Sequence, residues 1–432
     1  MAFRMLGLNP AQTVKWKQYK EFCTMLNLDY SGYKQSEEGV ICGNAKGDRM
    51  FHLENMSRIR NISLKQVWQE DKEDQYDVSW FELELFQNAW AEYKASRGLL
   101  DYTDTLVEWL RSGAVPDIEL LFVDEAQDLS PLQWQLVEML QKQAKQTYIA
   151  GDDDQSIYRF SGADVQKFIG LEGDVRVLNK SYRLPKAVYD VAQQVVHQIR
   201  HRREKHFDPS SKEGEVKRWY SLDNTPLETG EWLLLARNTY LLQQYVDVCR
   251  HQGYPYTLTS GRSPFDGDLP KAIFWWERLR KGQSARLSHI KRIYDCISSQ
   301  RIMRGCKLKV KKLPRDTVLT LDELKKDYGL CVDSPWFEAF DMVSAEDIEY
   351  FRSVLRQGEK LTVKPRITIS TFHSIKGGEA DHVLIATDMA ARTYREYQEN
   401  SDDELRVLYV AVTRAKQSLH ILEPTSLNCY EV

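Results

Sequence analysis

Nothing in this chain approaches the ~18 consecutive apolar residues of a membrane-spanning helix, and no apolar core follows Met1 as a secretory leader requires. The seven cysteines (Cys23, Cys42, Cys249, Cys296, Cys306, Cys331 and Cys429) are odd in number and never form a C-x-x-C pair. That scatter argues against a disulfide framework or a zinc ribbon and points to reduced thiols in a cytoplasmic setting. The nine histidines show no ligand spacing, and no internal repeat or low-complexity tract is visible. A net charge of −4 lacks the basic excess that would advertise a nucleic-acid binder. The most consequential absence is a phosphate loop: G-x-x-x-x-G-K-[ST] occurs nowhere in the 432 residues.

What is present makes that absence conspicuous. Hydrophobic residues at 42% and charged residues at 28% describe a soluble globular chain with ample core, long enough for about three domains. The run Ile118–Val123, broken only by Glu119, predicts a strand buried on both faces, as in a parallel sheet. It ends in Asp124-Glu125, two carboxylates at the edge where open α/β sheets place their ligands. Such a pair suits a nucleotide site in which one carboxylate holds Mg²⁺ and its neighbour orients and deprotonates an attacking water. A second predicted strand, Thr147–Ala150, leads into a tight turn, Gly151–Asp154, and then Gln155. A neutral amide there can hydrogen-bond a γ-phosphate or its attacking water and swing when the phosphate leaves; Gln127 is a second candidate for that sensing.

Six short elements carry a resemblance. Asp124-Glu125-Ala126-Gln127-Asp128 resembles motif II of the UvrD/Rep-type superfamily 1 DNA helicases, and Gly151–Phe160 resembles motif III. Asn179-Lys180-Ser181-Tyr182-Arg183 is similar to motif IV, and Leu235-Ala236-Arg237-Asn238 to the short element that follows it. Thr371–Glu379 resembles motif V and Leu408–Lys416 motif VI, so the order is kept over about 300 residues. Met1–Gly7 resembles the end of motif Ib, upstream of which the family carries its Walker A loop and motif Ia. The expectation is therefore a motor read from partway through. A separate companion polypeptide would supply Walker A and motif Ia.

The resemblance implies an α/β fold: two RecA-like parallel-sheet motor domains, the first incomplete, with inserted and mainly helical subdomains. Residues 1–115 would be the insertion in the first motor domain, and 116–175 the remainder of that domain. Residues 176–261 and 361–432 would form the second motor domain, interrupted by a basic and acidic insertion at 262–360. It also implies ATP and Mg²⁺ as cofactors, with Asp124 on the metal and Glu125 as general base. Arg183 and Arg414 would reach across the cleft to the γ-phosphate, as planar guanidinium groups do for a departing phosphoryl group. Tyr182 would stack on adenine, or else serve as a core aromatic, and Glu379 would hold the ribose. Tyr158 and Phe160 would offer ring faces to single-stranded DNA bases. His373 and Lys376 would link that strand to the nucleotide cleft, with Arg237 also on the DNA path. Phe160 and Ser161 depart from the Trp-Arg usual in the family, and Gly378 from an apolar residue.

Charge is segregated rather than absent. Lys271–Arg315 holds fourteen Lys/Arg against Glu277 and Asp295, whereas Asp316–Tyr350 holds ten acids against two lysines. The basic block is either a phosphate-facing footprint or a solvated helical face. The expected activity is a DNA helicase or translocase, 3′ to 5′ on single strands, acting on single-stranded and duplex DNA. The alternative is a non-catalytic, single-strand-binding or regulatory remnant.

Overall fold

Strand β4 (Trp232–Ala236) is apolar at every position, and all five residues are buried. Alternate side chains leave a strand on opposite faces, so such a run must be covered on both sides. The structure does this with two cores. Trp232, Leu234 and Ala236 enter one hydrophobic cluster, and Leu233 and Leu235 the other. The protein is described by a computed structural model covering residues 2–432 apart from 33, 37, 38, 42, 44 and 72–77. Met1, Cys42 and the Lys72–Asp77 part of the charged stretch Gln69–Asp77 lie outside the described residues.

Eight strands position the site: β1 (Leu120–Val123), β2 (Gln146–Ile149), β3 (Glu215–Trp219), β4, β5 (Tyr256–Leu258), β6 (Ile367–Thr371), β7 (Ala380–Ala386) and β8 (Ala415–Leu422). Six of them form one sheet in the order β3-β8-β7-β4-β6-β5, every pair parallel. This is the parallel-sheet architecture expected of a RecA-like motor domain. β1 and β2 pair separately and in parallel, with Phe122 opposite Tyr148.

That small sheet departs from the expectation of burial on both faces. Val123 and Ile149 pack with Trp134, Val137 and Phe168 beneath the helices Pro131–Gln141 and Val165–Ile169. The opposite face is bare: Leu120, Phe122 and Tyr148 are 53%, 69% and 47% exposed. Phe122 and Tyr148 cover only each other, their rings stacked at 5.0 Å. The strand formed where the apolar run predicted it, but burial needs a second layer that the described residues do not place there. Val175, Val177 and Leu178, in an extended stretch outside any described strand, are exposed as well.

The N-terminal helices, including Trp16–Met25, Lys46–Ile59 and Trp80–Arg97, bury an aromatic cluster of Phe22, Phe51, Phe86 and Trp90. Trp16, Tyr19, Phe22 and Cys23 follow helical spacing along the first of these helices, although Trp16 itself is exposed. Helix Trp80–Arg97 starts on a Ser79/Glu82 capping box and stops at Gly98, whose φ of +60° suits glycine. Asp101 caps the next helix and accepts bonds from Arg58 (2.8 and 2.9 Å) and Lys94 (2.7 Å). Burial alone would raise the Asp101 carboxyl, but Arg58 and Lys94 outweigh it and hold the group well below the usual carboxylate range.

Residues 262–360 are mainly helical. Trp276 and Trp336 are buried, and Trp275 stacks on His289 at 4.3 Å. Much of the acidic block folds back on basic side chains, as in Lys325–Asp333 (2.7 Å) and Arg301–Asp341 (3.2 Å). Lys309, Lys311, Lys312 and Arg315 remain exposed.

Without Asp101, Arg58 keeps Glu54 and Asp104 and Lys94 keeps Asp104, but the helix loses its cap and a buried partner of both cations, so Asp101→Ala should cost ~1–3 kcal/mol of stability in denaturant titration. Because the folded-state pKa of Asp101 is depressed, its contribution is complete above the unfolded value near pH 4 and fades as pH falls below it. The difference in stability between wild type and Asp101→Ala should therefore be flat above about pH 5 and shrink in acid.

Candidate nucleotide site

β1 ends at Val123, and the chain turns at once through Asp124 and Glu125. Glu125 has φ +51°, a left-handed conformation that costs a residue with a side chain ~1–3 kcal/mol. The turn leaves both carboxylates exposed at the C-terminal edge of β1. Asp124 Oδ1 accepts the Glu125 N–H at 2.9 Å, which leaves its other oxygen for a cation. Among the described residues no group of three or more candidate ligands gathers to cage a metal. An exposed carboxylate oxygen such as that of Asp124 is the kind of ligand Mg²⁺ takes beside a nucleotide, where one or two carboxylates are joined by water and phosphate oxygens.

Gln127 is fully buried and ties this turn to the next. Its Nε2 donates to Glu125 Oε2 at 2.6 Å, and its Oε1 accepts the Asp152 N–H at 3.0 Å. Gly151 permits that approach, since a Cβ there would lie 2.5 Å from Gln127 Oε1 and 2.9 Å from the Phe168 ring. After the turn, Gln155 Nε2 donates to Asp152 Oδ2 at 2.7 Å, and Gln155 Oε1 accepts from Arg414 Nη2 at 3.2 Å. Hydrogen bonds thus run continuously from Glu125 through Gln127, Asp152 and Gln155 to Arg414, across the boundary between β1–β2 and the large sheet.

Arg414 is only 2% exposed, and its Nε donates to the Val410 carbonyl. Burial and the neighbouring Arg183 push its guanidinium down to about 10, still charged at neutral pH. Arg183 lies 3.6 Å from Glu379 and is buried at Nε with no hydrogen-bond partner among the described residues. Glu379 is equally close to Lys416. Tyr182 is 84% exposed, with Lys180 Nζ 5.5 Å above its ring, which removes the core-aromatic reading.

Lys376 joins the seam from motif V. Its Nζ donates to the Asp128 carboxylate and, at 2.8 Å, to the Gln155 carbonyl; it lies 3.8 Å from Glu125 and 5.0 Å above the Tyr158 ring. Burial raises the Asp128 carboxyl, with Lys376 opposing. Phe160 meets Tyr158 at 6.1 Å and His373 edge-on at 5.6 Å. Burial pushes His373 down to about 3, so its ring is neutral, and Nδ1 has no partner among the described residues. Phe160, Tyr158 and Asp128 line a cavity of about 480 Å³ whose far wall includes Phe51, Arg58 and Tyr102.

Arg237 is placed differently from the DNA contact expected of it. Its guanidinium is buried against Glu404 at 2.7 and 2.8 Å, and Tyr430 Oη donates to the same carboxylate at 2.6 Å. It braces the helix Ser401–Val412 from within.

One group escaped the sequence reading. Arg202 and Lys205, in the loop between helix Lys186–Val196 and β3, grip the Asp152–Asp154 turn. Arg202 makes a bidentate pair with Asp154 at 2.7 and 2.9 Å, and Lys205 contacts Asp152 at 2.6 Å, Asp153, and Asp154 at 3.1 Å. Arg406 adds a bond to the Asp153 carbonyl at 2.9 Å. The only signal was the cationic run Arg200–His206, which reads equally well as a solvated loop.

Residues 34–176 match the UvrD/REP helicase N-terminal domain, and residues 336–424 match the UvrD-like helicase C-terminal domain. The chain belongs to the UvrD/Rep-type helicase family. Among its UvrD/Rep-type relatives, the ATP-dependent DNA helicase PcrA of Staphylococcus aureus (strain Mu50) is 22% identical over 404 residues, covering 71% of this chain and 55% of the relative. PcrA of Bacillus subtilis (strain 168) is 29% identical over 157 residues, 33% of this chain and 21% of the relative. The ATP-dependent DNA helicase srs2 of Schizosaccharomyces pombe is 29% identical over 212 residues, 42% of this chain and 24% of the relative. The chain thus spans about half or less of the length of these curated relatives.

Gly151→Ala tests the UvrD/Rep-type seam directly. The added methyl must displace Gln127 or Phe168, an overpacking worth ~1–3 kcal/mol. Thermal denaturation should show that loss, and a Tm equal to wild type would mean that the two turns are not held together as described.

Proposed function

We propose that this chain forms part of an ATP-driven DNA translocase that moves 3′ to 5′ on single strands and separates duplex ahead of it. The observation that carries the reading is the hydrogen-bonded seam from Glu125 to Arg414, which joins both halves of the protein at one cleft. Glu125 activates the attacking water, Asp124 holds the metal, and Arg183 and Arg414 neutralise charge on the phosphoryl group. Gln155 and Gln127 register its presence. Tyr182 and Glu379 hold the nucleoside, consistent with an exposed ring beside a carboxylate that pairs with Arg183. When phosphate leaves, Gln155 and Lys376 release the loop that carries Tyr158 and Phe160, and the stacked base shifts. Arg237 supports motif V from below and acts on DNA only through that scaffold.

The phosphate loop, with its lysine, comes from polypeptide outside residues 1–432, either a companion or a further part of the same protein. The bare aromatic face of β1–β2 and the unpaired stretch at Val175–Leu178 support this. Parallel sheets are normally covered on both faces, and a two-stranded sheet is marginal alone. Residues 1–432 alone are expected to show negligible DNA-stimulated ATPase activity. Co-expression with the segment that supplies the loop should restore turnover, and Glu125→Gln should abolish it again. Ordinary turnover by the isolated chain would defeat the split of the site. No turnover in any combination would favour a DNA-binding or regulatory remnant.

Phe160→Ala removes one stacking ring and should weaken single-strand binding by ~1–3 kcal/mol, read by fluorescence anisotropy with an oligonucleotide. Unchanged affinity would return Phe160 to a packing role against His373.

A further inference from the structure

Lys205 lies on the second motor domain's side of the seam, yet its ammonium is held almost wholly within the first domain's sensor turn. Its side chain is 15% exposed and meets all three carboxylates of Asp152, Asp153 and Asp154. Asp152 is the informative partner. One of its oxygens takes Lys205 at 2.6 Å, and the other accepts the Gln155 amide at 2.7 Å. With Nε2 fixed there, Gln155 has to present Oε1 outward, where Arg414 finds it at 3.2 Å. We propose that Lys205 is a positioning residue that sets the orientation of the Gln155 sensor through Asp152, and so makes that orientation depend on closure between the two motor domains.

The electrostatics require such a cation. Three successive carboxylates share one turn, and Asp153 and Asp154 are 2% exposed or less. Like charges that close repel and favour protonation unless they are paired. Arg202 serves Asp154 with a bidentate fork, the Arg203 N–H donates to Asp153 at 2.8 Å, and Lys205 alone among these bridges Asp152. The same basic loop is anchored to the helix bearing motif VI, since Asp402 accepts the Arg200 and His201 N–H groups at 3.0 Å each. Arg406, on that helix, donates to both the His201 and Asp153 carbonyls. A movement of the second domain therefore reaches the Gln155 side-chain amide along two routes, directly through Arg414 and indirectly through Lys205 and Asp152. Opening the cleft withdraws Lys205, frees Asp152, and lets the Gln155 amide turn over.

This inference builds on the ATP-driven reading above, and its test separates the two. In the complete protein, with its phosphate loop supplied, Lys205→Met is expected to lower kcat for DNA-stimulated ATP hydrolysis by about tenfold or more, with KM for ATP changed far less. Lys205→Arg should recover most of the loss, because a cation within reach of Asp152 suffices. In a Gln155→Ala background the same Lys205→Met change should have little further effect on kcat, since Lys205 acts through that amide. Multiplicative effects in the double variant, or failure of Lys205→Arg to rescue, would overturn the positioning role. A second readout needs no turnover: amide hydrogen exchange in the 432-residue chain. Lys205→Met should speed exchange across Asp152–Ser156 and spare the helix Ser401–Val412. Unchanged exchange at the turn would overturn the proposal even if the unsubstituted protein proved to have no ATPase activity. That last result would count against the ATP-driven reading alone.

Discussion

Asp152 answers two demands with one carboxylate. Its oxygens are claimed by a lysine from one side of the cleft and by a glutamine amide from the other, while its own N–H donates to Gln127. Burial disfavours its charge, and Lys205 more than restores it. An ionised carboxylate in that position converts a flexible amide into an oriented one, and orientation is what a γ-phosphate sensor needs. Gln155 would lose its fixed partner if that group were displaced, and Arg414 the oriented oxygen it meets, so the sensor's geometry depends on one half-buried charge pair. Such pairs add little net stability over apolar packing, but breaking one partner is costly. That makes the contact suited to specifying a state rather than to holding the fold together.

Fold stability comes from elsewhere. The six-stranded parallel sheet is sandwiched between two apolar clusters, and helix Ser401–Val412 is buried nearly end to end, its Arg406 and Glu404 included. Burying those charges is tolerable because each is spent on the seam or its brace: Arg406 on Asp153 and His201, Glu404 on Arg237 and Tyr430. Among the described residues the β1–β2 pair has one such layer.

How much of this could be read from residues alone follows from what each signal reports. That Asp124, Glu125 and Gln155 fall at one edge was legible because loop chemistry beside apolar strands is a local pattern, and β1 and β2 formed within a residue or two of the runs that marked them, whereas Arg414 was reached only through the resemblance. Leu405, Leu408, Tyr409 and Val412 share one helical face by their spacing, and all four are buried. Burial of β1 on both faces was misjudged, since an apolar run states that cover is needed and not that it is supplied. Arg237 was assigned by its place in a motif, whereas its fate was decided by Glu404, 167 residues away. Lys205 and Arg202 were missed because a run of cations carries no record of which distant carboxylates it will meet.

The insertion at 262–360 shares a single apolar cluster with one face of the large sheet, from Trp232, Leu234 and Leu384 through Tyr350 and Phe351 to Trp276 and Ile290. Tyr350 Oη even donates to the Tyr254 carbonyl at the entrance to β5. A subdomain joined by loops alone could swivel freely, but here rotation would have to shear a continuous core. The insertion is therefore mechanically stiff. Its exposed basic surface and β6, whose last residue Thr371 opens motif V, are thus parts of one packed body rather than of two hinged ones.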